Sequence, residues 1–196
     1  LLPYDEERVA ATAVQYSPDG EHVCVGFENG DVWVLDASAI AAAAPMNWES
    51  DKFFVKNSDD DNVKLNTTKG KAISVLRYRP DGVLLVAAGL GGKVTIFLVQ
   101  EPDASIAYAV IKSFRAHMCN IRSLDFSEDC KLMQSTGVDN QILYWQMEMQ
   151  ASEVNLAAVR EVTDASGNVE HGVQDVVWAT WTSALGWPVE GIYDVN

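Results

Sequence analysis

Val14-Gln15-Tyr16-Ser17-Pro18-Asp19-Gly20, Leu76-Arg77-Tyr78-Arg79-Pro80-Asp81-Gly82 and Leu124-Asp125-Phe126-Ser127-Glu128-Asp129-Cys130 are three copies of one phrase. Their aromatic anchors, residues 16, 78 and 126, stand 62 and then 48 residues apart. The register holds without a gap through Val32, Val94 and Ile142, and on to Leu35, Phe97 and Trp145. Each copy begins with an apolar strand that ends in a tight turn (S-P-D-G, R-P-D-G, S-E-D-C), where Pro fixes φ and Gly tolerates a positive one. A second strand follows at Val23-Cys24-Val25, Leu84-Leu85-Val86 or Leu132-Met133-Gln134, and a second turn at Glu28-Asn29-Gly30, Gly91-Gly92 or Asp139-Asn140. The third strand carries branched and aromatic residues: Val32 to Leu35, Val94 to Phe97, Ile142 to Trp145.

These strands are apolar on nearly every residue instead of alternately, which is the pattern of sheets covered on both faces. Short strands, frequent turns and a recurring period predict an all-β fold, a β-propeller of four-stranded antiparallel blades, with about three to four blades of a larger ring in this chain. The repeats lie near 11–37, 72–99 and 119–147. A fourth strand per blade is expected from the less regular links, at Tyr108-Ala109-Val110-Ile111 and at Phe53-Phe54-Val55. Repeats of this kind recur every ~40–45 residues, so the first spacing implies an insertion of roughly 15–20 residues within 38–70. There, Ala37 to Ala44 predicts a helical turn stopped by Pro45, and Asn57 to Thr68 a polar surface loop.

The third copy carries more. Ala116-His117 precedes it, Ser135 lies in its second strand, Asp139 in its second turn and Trp145 in its third strand. This set resembles the WD-repeat network, in which His, Ser, Asp and Trp hydrogen-bond in series and lock a blade. The first two copies lack it, with Leu35-Asp36 and Phe97-Leu98 in the place of Trp-Asp.

Composition bounds function. The chain has 196 residues, 48% hydrophobic and 21% charged, with a formal net charge of −14. So acidic a surface repels phosphate backbones and anionic headgroups, which argues against nucleic acid and membrane as direct partners. Leu1-Leu2-Pro3 does not open a signal peptide, and the longest aliphatic run, Val83 to Ala88, is too short to span a bilayer. The expectation is a soluble segment of something longer. Cys24, Cys119 and Cys130 form neither a disulfide framework nor a C-x-x-C zinc module, and reduced cytosolic thiols are expected. Cys24, inside an apolar run, reads as a buried small hydrophobe.

Several motifs fail on inspection. Gly89-Leu90-Gly91-Gly92-Lys93-Val94 has Ala87 where a phosphate-binding loop needs its first Gly, and Val94 where it needs Ser or Thr. Asp59-Asp60-Asp61-Asn62 opens no calcium loop, because Lys64 and Gly70 occupy the positions of the required Gly and Glu. His117 and Cys119 have metal-pair spacing, but no second pair supports them. No metal or cofactor is therefore assigned. His22 and His171 fall at turns and read as exposed. The sequon Asn66-Thr67-Thr68 matters only in a secreted protein. No Ser/His/Asp, Cys/His or paired-carboxylate arrangement stands out, and no enzyme is expected.

The last third narrows the reading. Gln141-Ile142-Leu143-Tyr144-Trp145 leads, through a long connector, into Asp175-Val176-Val177-Trp178-Ala179-Thr180-Trp181-Thr182-Ser183-Ala184-Leu185-Gly186-Trp187-Pro188-Val189-Glu190-Gly191-Ile192. This segment, within 173–192, resembles the echinoderm microtubule-associated protein-like family, in which an I-L-Y-W strand is followed by D-x-x-W-A-T-x-T-x-x-L-G-[FW]-x-V-x-G-[IV] between blades of a tandem propeller. Trp178, Thr180, Trp181, Leu185, Gly186 and Gly191 carry the fingerprint, and the match is to the second of the two propellers. Trp33-Val34-Leu35-Asp36-Ala37 and Ile73-Ser74-Val75-Leu76-Arg77-Tyr78 agree with it. The chain departs from the family after Ile192, where Tyr193-Asp194-Val195-Asn196 replaces W-P-x-G. Trp178, Trp181 and Trp187 are expected to pack between blades instead of meeting a ligand.

The resemblance implies a non-catalytic cytoskeletal scaffold that associates with tubulin or microtubule-associated proteins, in cytoplasm, spindle or cilium. Other blades or chains would complete the propeller, and the residues that meet partners are not legible. The competing class is a general WD-repeat adaptor of a signalling or ubiquitin-ligase complex, with no tubulin link.

Overall fold

The computed structural model describes residues 9–42, 64–67, 71–99, 107–150, 153–159, 161–163 and 169–183. Twelve of the strands form three four-stranded antiparallel sheets. The first contains β1 (Ala11–Tyr16), β2 (His22–Phe27), β3 (Asp31–Asp36) and β4 (Lys64–Asn66). The second contains β5 (Ile73–Tyr78), β6 (Leu84–Gly89), β7 (Lys93–Val99) and β8 (Tyr108–Arg115), and the third β9 (Ile121–Phe126), β10 (Leu132–Gly137), β11 (Ile142–Gln150) and β12 (Glu153–Val159). A short hairpin of β13 (Glu161–Thr163) and β14 (Val169–Gly172) follows, then a 3₁₀ turn at Val173–Asp175. The chain is a nearly all-β propeller fold. Among the described residues no helix is long and apolar enough to cross a membrane.

The sequence register is the structural register. Tyr16 pairs with Val23, Tyr78 with Leu85 and Phe126 with Met133; Leu35, Phe97 and Trp145 then pair with those same partners from the other side. Each sheet also breaks step at the same place, where Ala11, Ile73 and Ile121 face Phe27, Gly89 and Gly137 across a bulge. The tight turns repeat as well: the amides of Gly20, Gly82 and Cys130 donate to the carbonyls of Ser17, Arg79 and Ser127. Gly20 and Gly82 have φ of 77°, and Cys130 is held at 62° in the same left-handed region. A side chain there costs about 1–2 kcal/mol, partly offset by the greater freedom glycine has when unfolded. Cys130→Gly is therefore expected to stabilise the chain by about 0.5–1 kcal/mol, raising the thermal midpoint by roughly 1–4 °C. A lowered midpoint in calorimetry would show that the Cys130 thiol contributes more than its backbone costs.

The continuously apolar strands are explained by the middle sheet. Leu85, Ala87 and Phe97 pack with Cys24, Val32 and Val34 of the first sheet. The alternate residues Leu84, Val86, Ala88, Val94 and Ile96 pack with Ile121, Leu124, Phe126 and Met133 of the third. Both faces of one sheet are thus core, and alternation of polarity disappears. The first strands lie side by side, β1 along β5 and β5 along β9, whereas contact between outer strands is sparse. The sheets radiate from the first strands.

Polar groups thread the first interface. Cys24 Sγ lies 3.0 Å from Tyr78 Oη, which is 2.7 Å from Tyr108 Oη, which is 2.9 Å from His22 Nδ1. Cys24 is buried as expected, and burial pushes its thiol up to about 12, leaving it unreactive at neutral pH. His22 corrects the sequence reading: it is half-buried in β2, not exposed in a turn, because Tyr108 supplies its partner from 86 residues away. His171 lies in β14.

The insertion also differs from expectation in part. A helix forms at Ala37–Ala42, capped by Asp36, whose carboxylate accepts from the amides of Ser38 (2.8 Å) and Ala39 (3.0 Å). The fourth strand of the first blade is Lys64–Asn66, inside the stretch read as a loop. Phe53-Phe54-Val55 and Pro45 lie outside the described residues. The expected fourth strand at Tyr108 is present as β8, paired along β7.

Candidate functional site

His117, Ser135 and Trp145 come together across the third blade. Trp145 Nε1–H donates to Ser135 Oγ over 3.0 Å, and His117 Nε2 lies 2.9 Å from the same oxygen. β10 supplies Ser135 and β11 supplies Trp145. His117 precedes β9 in a segment held against the preceding blade, since the amides of Ala116 (2.8 Å) and His117 (3.2 Å) both donate to Gly92 O. Phe114 of that blade meets the Trp145 ring at 5.1 Å, edge to face. The fourth expected member, Asp139, is placed in the exposed turn beside Cys119, whose thiol is the main cause holding the Asp139 carboxyl below its ordinary range. His117 Nδ1 is buried and makes no hydrogen bond.

His117 is 3% exposed. Burial depresses its pKa below the usual 6.5, opposed by the charge of Asp139. The folded chain therefore binds this proton less readily than the unfolded one. The contribution to stability is fully present above about pH 6.5 and is lost as pH falls through the window below it. Denaturation midpoints from about pH 7.5 to about pH 5.5 should fall in the parent and fall less in His117→Gln. Parallel curves would remove His117 as the titrating group.

The fingerprint segment lies against the innermost strand of the third blade. Trp178 bridges Ser127, with Glu128 N donating to Val177 O (2.9 Å) and Ala179 N to Phe126 O (2.8 Å). Trp178 is 1% exposed and packs with Leu132, Val176 and Tyr144. Thr180 Oγ1 donates to Oδ1 of the fully buried Asp125 over 2.7 Å, while Ser183 Oγ lies 2.8 Å from Thr136 Oγ1. Trp181 departs from expectation. It is 56% exposed at a φ of 51°, while the hydroxyls of Thr180 and Thr182 on either side bond to Asp125 and Arg77. Leu185, Gly186, Trp187 and Gly191 lie outside the described residues.

Arg77, which sequence reasoning missed as a functional residue, joins all of these elements. From β5 its Nε donates to Leu124 O (3.2 Å), its Nη1 to Gln15 Oε1 (3.0 Å) and its Nη2 to Thr182 Oγ1 (3.0 Å). One guanidinium thereby ties the first strands of all three blades to the fingerprint segment. The signal was a lone charge in the strand Ile73–Tyr78. Beside it, Gln15, Ser74, Arg77, Arg122, Ser123 and Thr182 line a cavity of about 330 Å³ between the first strands.

Four-stranded blades stacked on shared apolar faces, one of them bridged by His, Ser and Trp, define a WD-repeat β-propeller protein. Residues 109–146 match the family described as WD domain, G-beta repeat. Over 91% of its length the chain is similar to echinoderm microtubule-associated proteins. It is 26% identical to echinoderm microtubule-associated protein-like 4 of Mus musculus, 27% to protein-like 1 of Homo sapiens and 24% to the 77 kDa protein of Strongylocentrotus purpuratus. The chain spans 14%, 17% and 21% of those three proteins. Among solved structures, Sqt1 of Saccharomyces cerevisiae shares the fold at a TM-score of 0.57 and 13% identity, over 89% of this chain and 40% of that one. Sqt1 of Chaetomium thermophilum does so at 0.55 and 21%, over 73% and 34%.

Proposed function

We propose that the chain is a non-catalytic scaffold segment of a microtubule-associated protein, part of its second propeller, presenting a rigid surface to tubulin or to other microtubule-associated proteins in the cytoplasmic cytoskeleton. The carrying observation is the likeness to echinoderm microtubule-associated proteins along 91% of the chain. The blade-locking role of His117, Ser135, Asp139 and Trp145 belongs to the same reading. The hydrogen bonds of His117, Ser135 and Trp145 tie the segment before β9 to β10 and β11, and rigidity favours shape-specific binding.

The exposed face of the first blade supports further blades as neighbours. Val14 and Tyr16 are 65% and 58% exposed. Their equivalents Leu76 and Tyr78, and again Leu124 and Phe126, are buried against the blade before them. A further blade, from the same polypeptide or a partner chain, covers Val14 and Tyr16 in the complete assembly.

Charge sets the mode of binding. At −14 the segment is not drawn by long-range attraction to an acidic surface, and the tubulin lattice presents one. Lattice attachment then rests elsewhere in the protein, and this propeller engages soluble tubulin or other proteins by shape. In co-sedimentation the 196-residue chain is expected to stay in the supernatant with microtubules and to be retained on immobilised soluble tubulin. Strong, salt-sensitive pelleting would contradict the assignment of lattice binding to another region. Absence of any tubulin retention would favour the general adaptor reading.

A further inference from the structure

Two arginines meet at the cavity between the first strands, and no acidic residue among the described ones lines it. Arg77 comes from β5 and Arg122 from β9, with hydroxyls from Ser123 and Thr182 beside them and an apolar wall that includes Val14 and Leu76. In a chain with 14 basic against 28 acidic side chains, this is a local reversal of charge. Neutral acceptors hold Arg77 in place: the Leu124 carbonyl, the Gln15 amide oxygen and the Thr182 hydroxyl. Its Nη1 and Nη2 each carry a second N–H, and these are left for a ligand. The carboxylate whose charge Arg77 feels, that of Asp125, is fully buried, bonds to Thr180 and does not line the cavity. Arg122 is exposed and makes no hydrogen bond or ion pair among the described residues.

We propose that this cavity binds the carboxylate of a glutamate or aspartate side chain presented by a partner polypeptide, with Arg122 and the remaining N–H groups of Arg77 as its donors. A planar guanidinium matches a carboxylate with paired N–H bonds, which a point charge cannot do. The volume, about 330 Å³, is roughly ten times the share of one liquid water molecule, so it holds a whole side chain where a small free oxyanion would rattle. Val14 and Leu76 then cover the methylene stem, as apolar walls with a few placed polar groups do in ligand sites generally. Charge decides against a phosphate polymer. At −14 the chain repels a polyanion along its whole length, whereas one carboxylate within the screening length of about 8 Å responds to the guanidiniums beside it. The site goes beyond the scaffold reading, because it stands whether or not the partner is tubulin.

The test immobilises the 196-residue chain and passes over it two pools of acetylated, amidated heptapeptides, with neutral residues randomised around a central glutamate or a central glutamine. The glutamate pool is expected to be retained at least about tenfold more strongly, the size of effect that one hydrogen-bonded charge supplies. Arg122→Gln should abolish that preference, and Arg122→Lys, which keeps the charge without the planar pair of donors, should fall between. Lys131→Gln removes an exposed cation outside the cavity and should leave the preference intact. Thermal midpoints of the Arg122 variants should match the parent, since that side chain is exposed, so a lost preference is not a lost fold. Acetate and inorganic phosphate serve as competitors and should displace the glutamate pool about equally. No preference for glutamate in the parent, a preference unchanged in Arg122→Gln, or displacement by phosphate far below the concentration needed with acetate overturns the proposal, the last by marking a site for free phosphate. Retention on tubulin is a separate readout, and neither result decides the other.

Discussion

Gly92→Ala is expected to destabilise the chain by about 3–5 kcal/mol, combining overpacking with an alanine forced into the left-handed region. Gly92 has a φ of 74°, and a Cβ there would lie 1.9 Å from His117 O, 2.6 Å from its carbonyl carbon and 2.7 Å from Cys119 O. All three obstacles are backbone, so no side-chain rotation relieves them. The same glycine accepts the amides of Ala116 and His117, so its displacement also moves the start of the third blade. Asn140 occupies the equivalent turn at a φ of 62°, which separates the two causes. Gly92→Asn accommodates the dihedral but not the clash, and should cost nearly as much as Gly92→Ala. Denaturant unfolding measures both. A loss below about 1 kcal/mol in either variant would mean that the two blades are not in this contact.

Trp178→Ala should cost about 3–5 kcal/mol, the range for removing a fully buried tryptophan. Its ring is walled by Leu132, Val176 and Tyr144, the last at 6.0 Å between ring centroids. Its backbone neighbours bond to Phe126 and Glu128, so the walls cannot easily collapse into the space. Trp181→Ala, in the same segment but exposed, should change stability by less than about 0.5 kcal/mol. Equal effects of the two would show that the segment is not seated as described.

The contrast between those tryptophans shows how far sequence reading reached. The repeat was legible because its determinants are local: a turn that needs a positive φ, an aromatic just before it, and apolar residues at fixed distances after it. Identical pairing of the first three strands in all three sheets follows, down to the bulge between the first two. The His117, Ser135 and Trp145 cluster was legible for the same reason, being fixed by position within one repeat. What escaped depends on distance along the chain. β4 is a polar edge strand whose backbone bonds to β3 carry no side-chain signature. His22 reads as a turn residue until Tyr108 arrives from the next blade. Arg77 looks like a solitary charge, yet its partners are Gln15, Leu124 and Thr182. Trp178 and Trp181 are one residue type in one motif, yet Trp178 packs with Leu132, Val176 and Tyr144 while Trp181 stays exposed.

The three sheets stack face to face, with the middle one covered on both sides. Amide hydrogen exchange on the 196-residue chain tests it most directly, since protection follows the free energy of the opening that exposes each bond. Slowest exchange is predicted in Leu84 to Ala88 and Val94 to Phe97, with faster exchange in β1 and β12. Equal protection of the central strands of all three sheets, or exchange fastest in the middle one, would contradict the stacked arrangement.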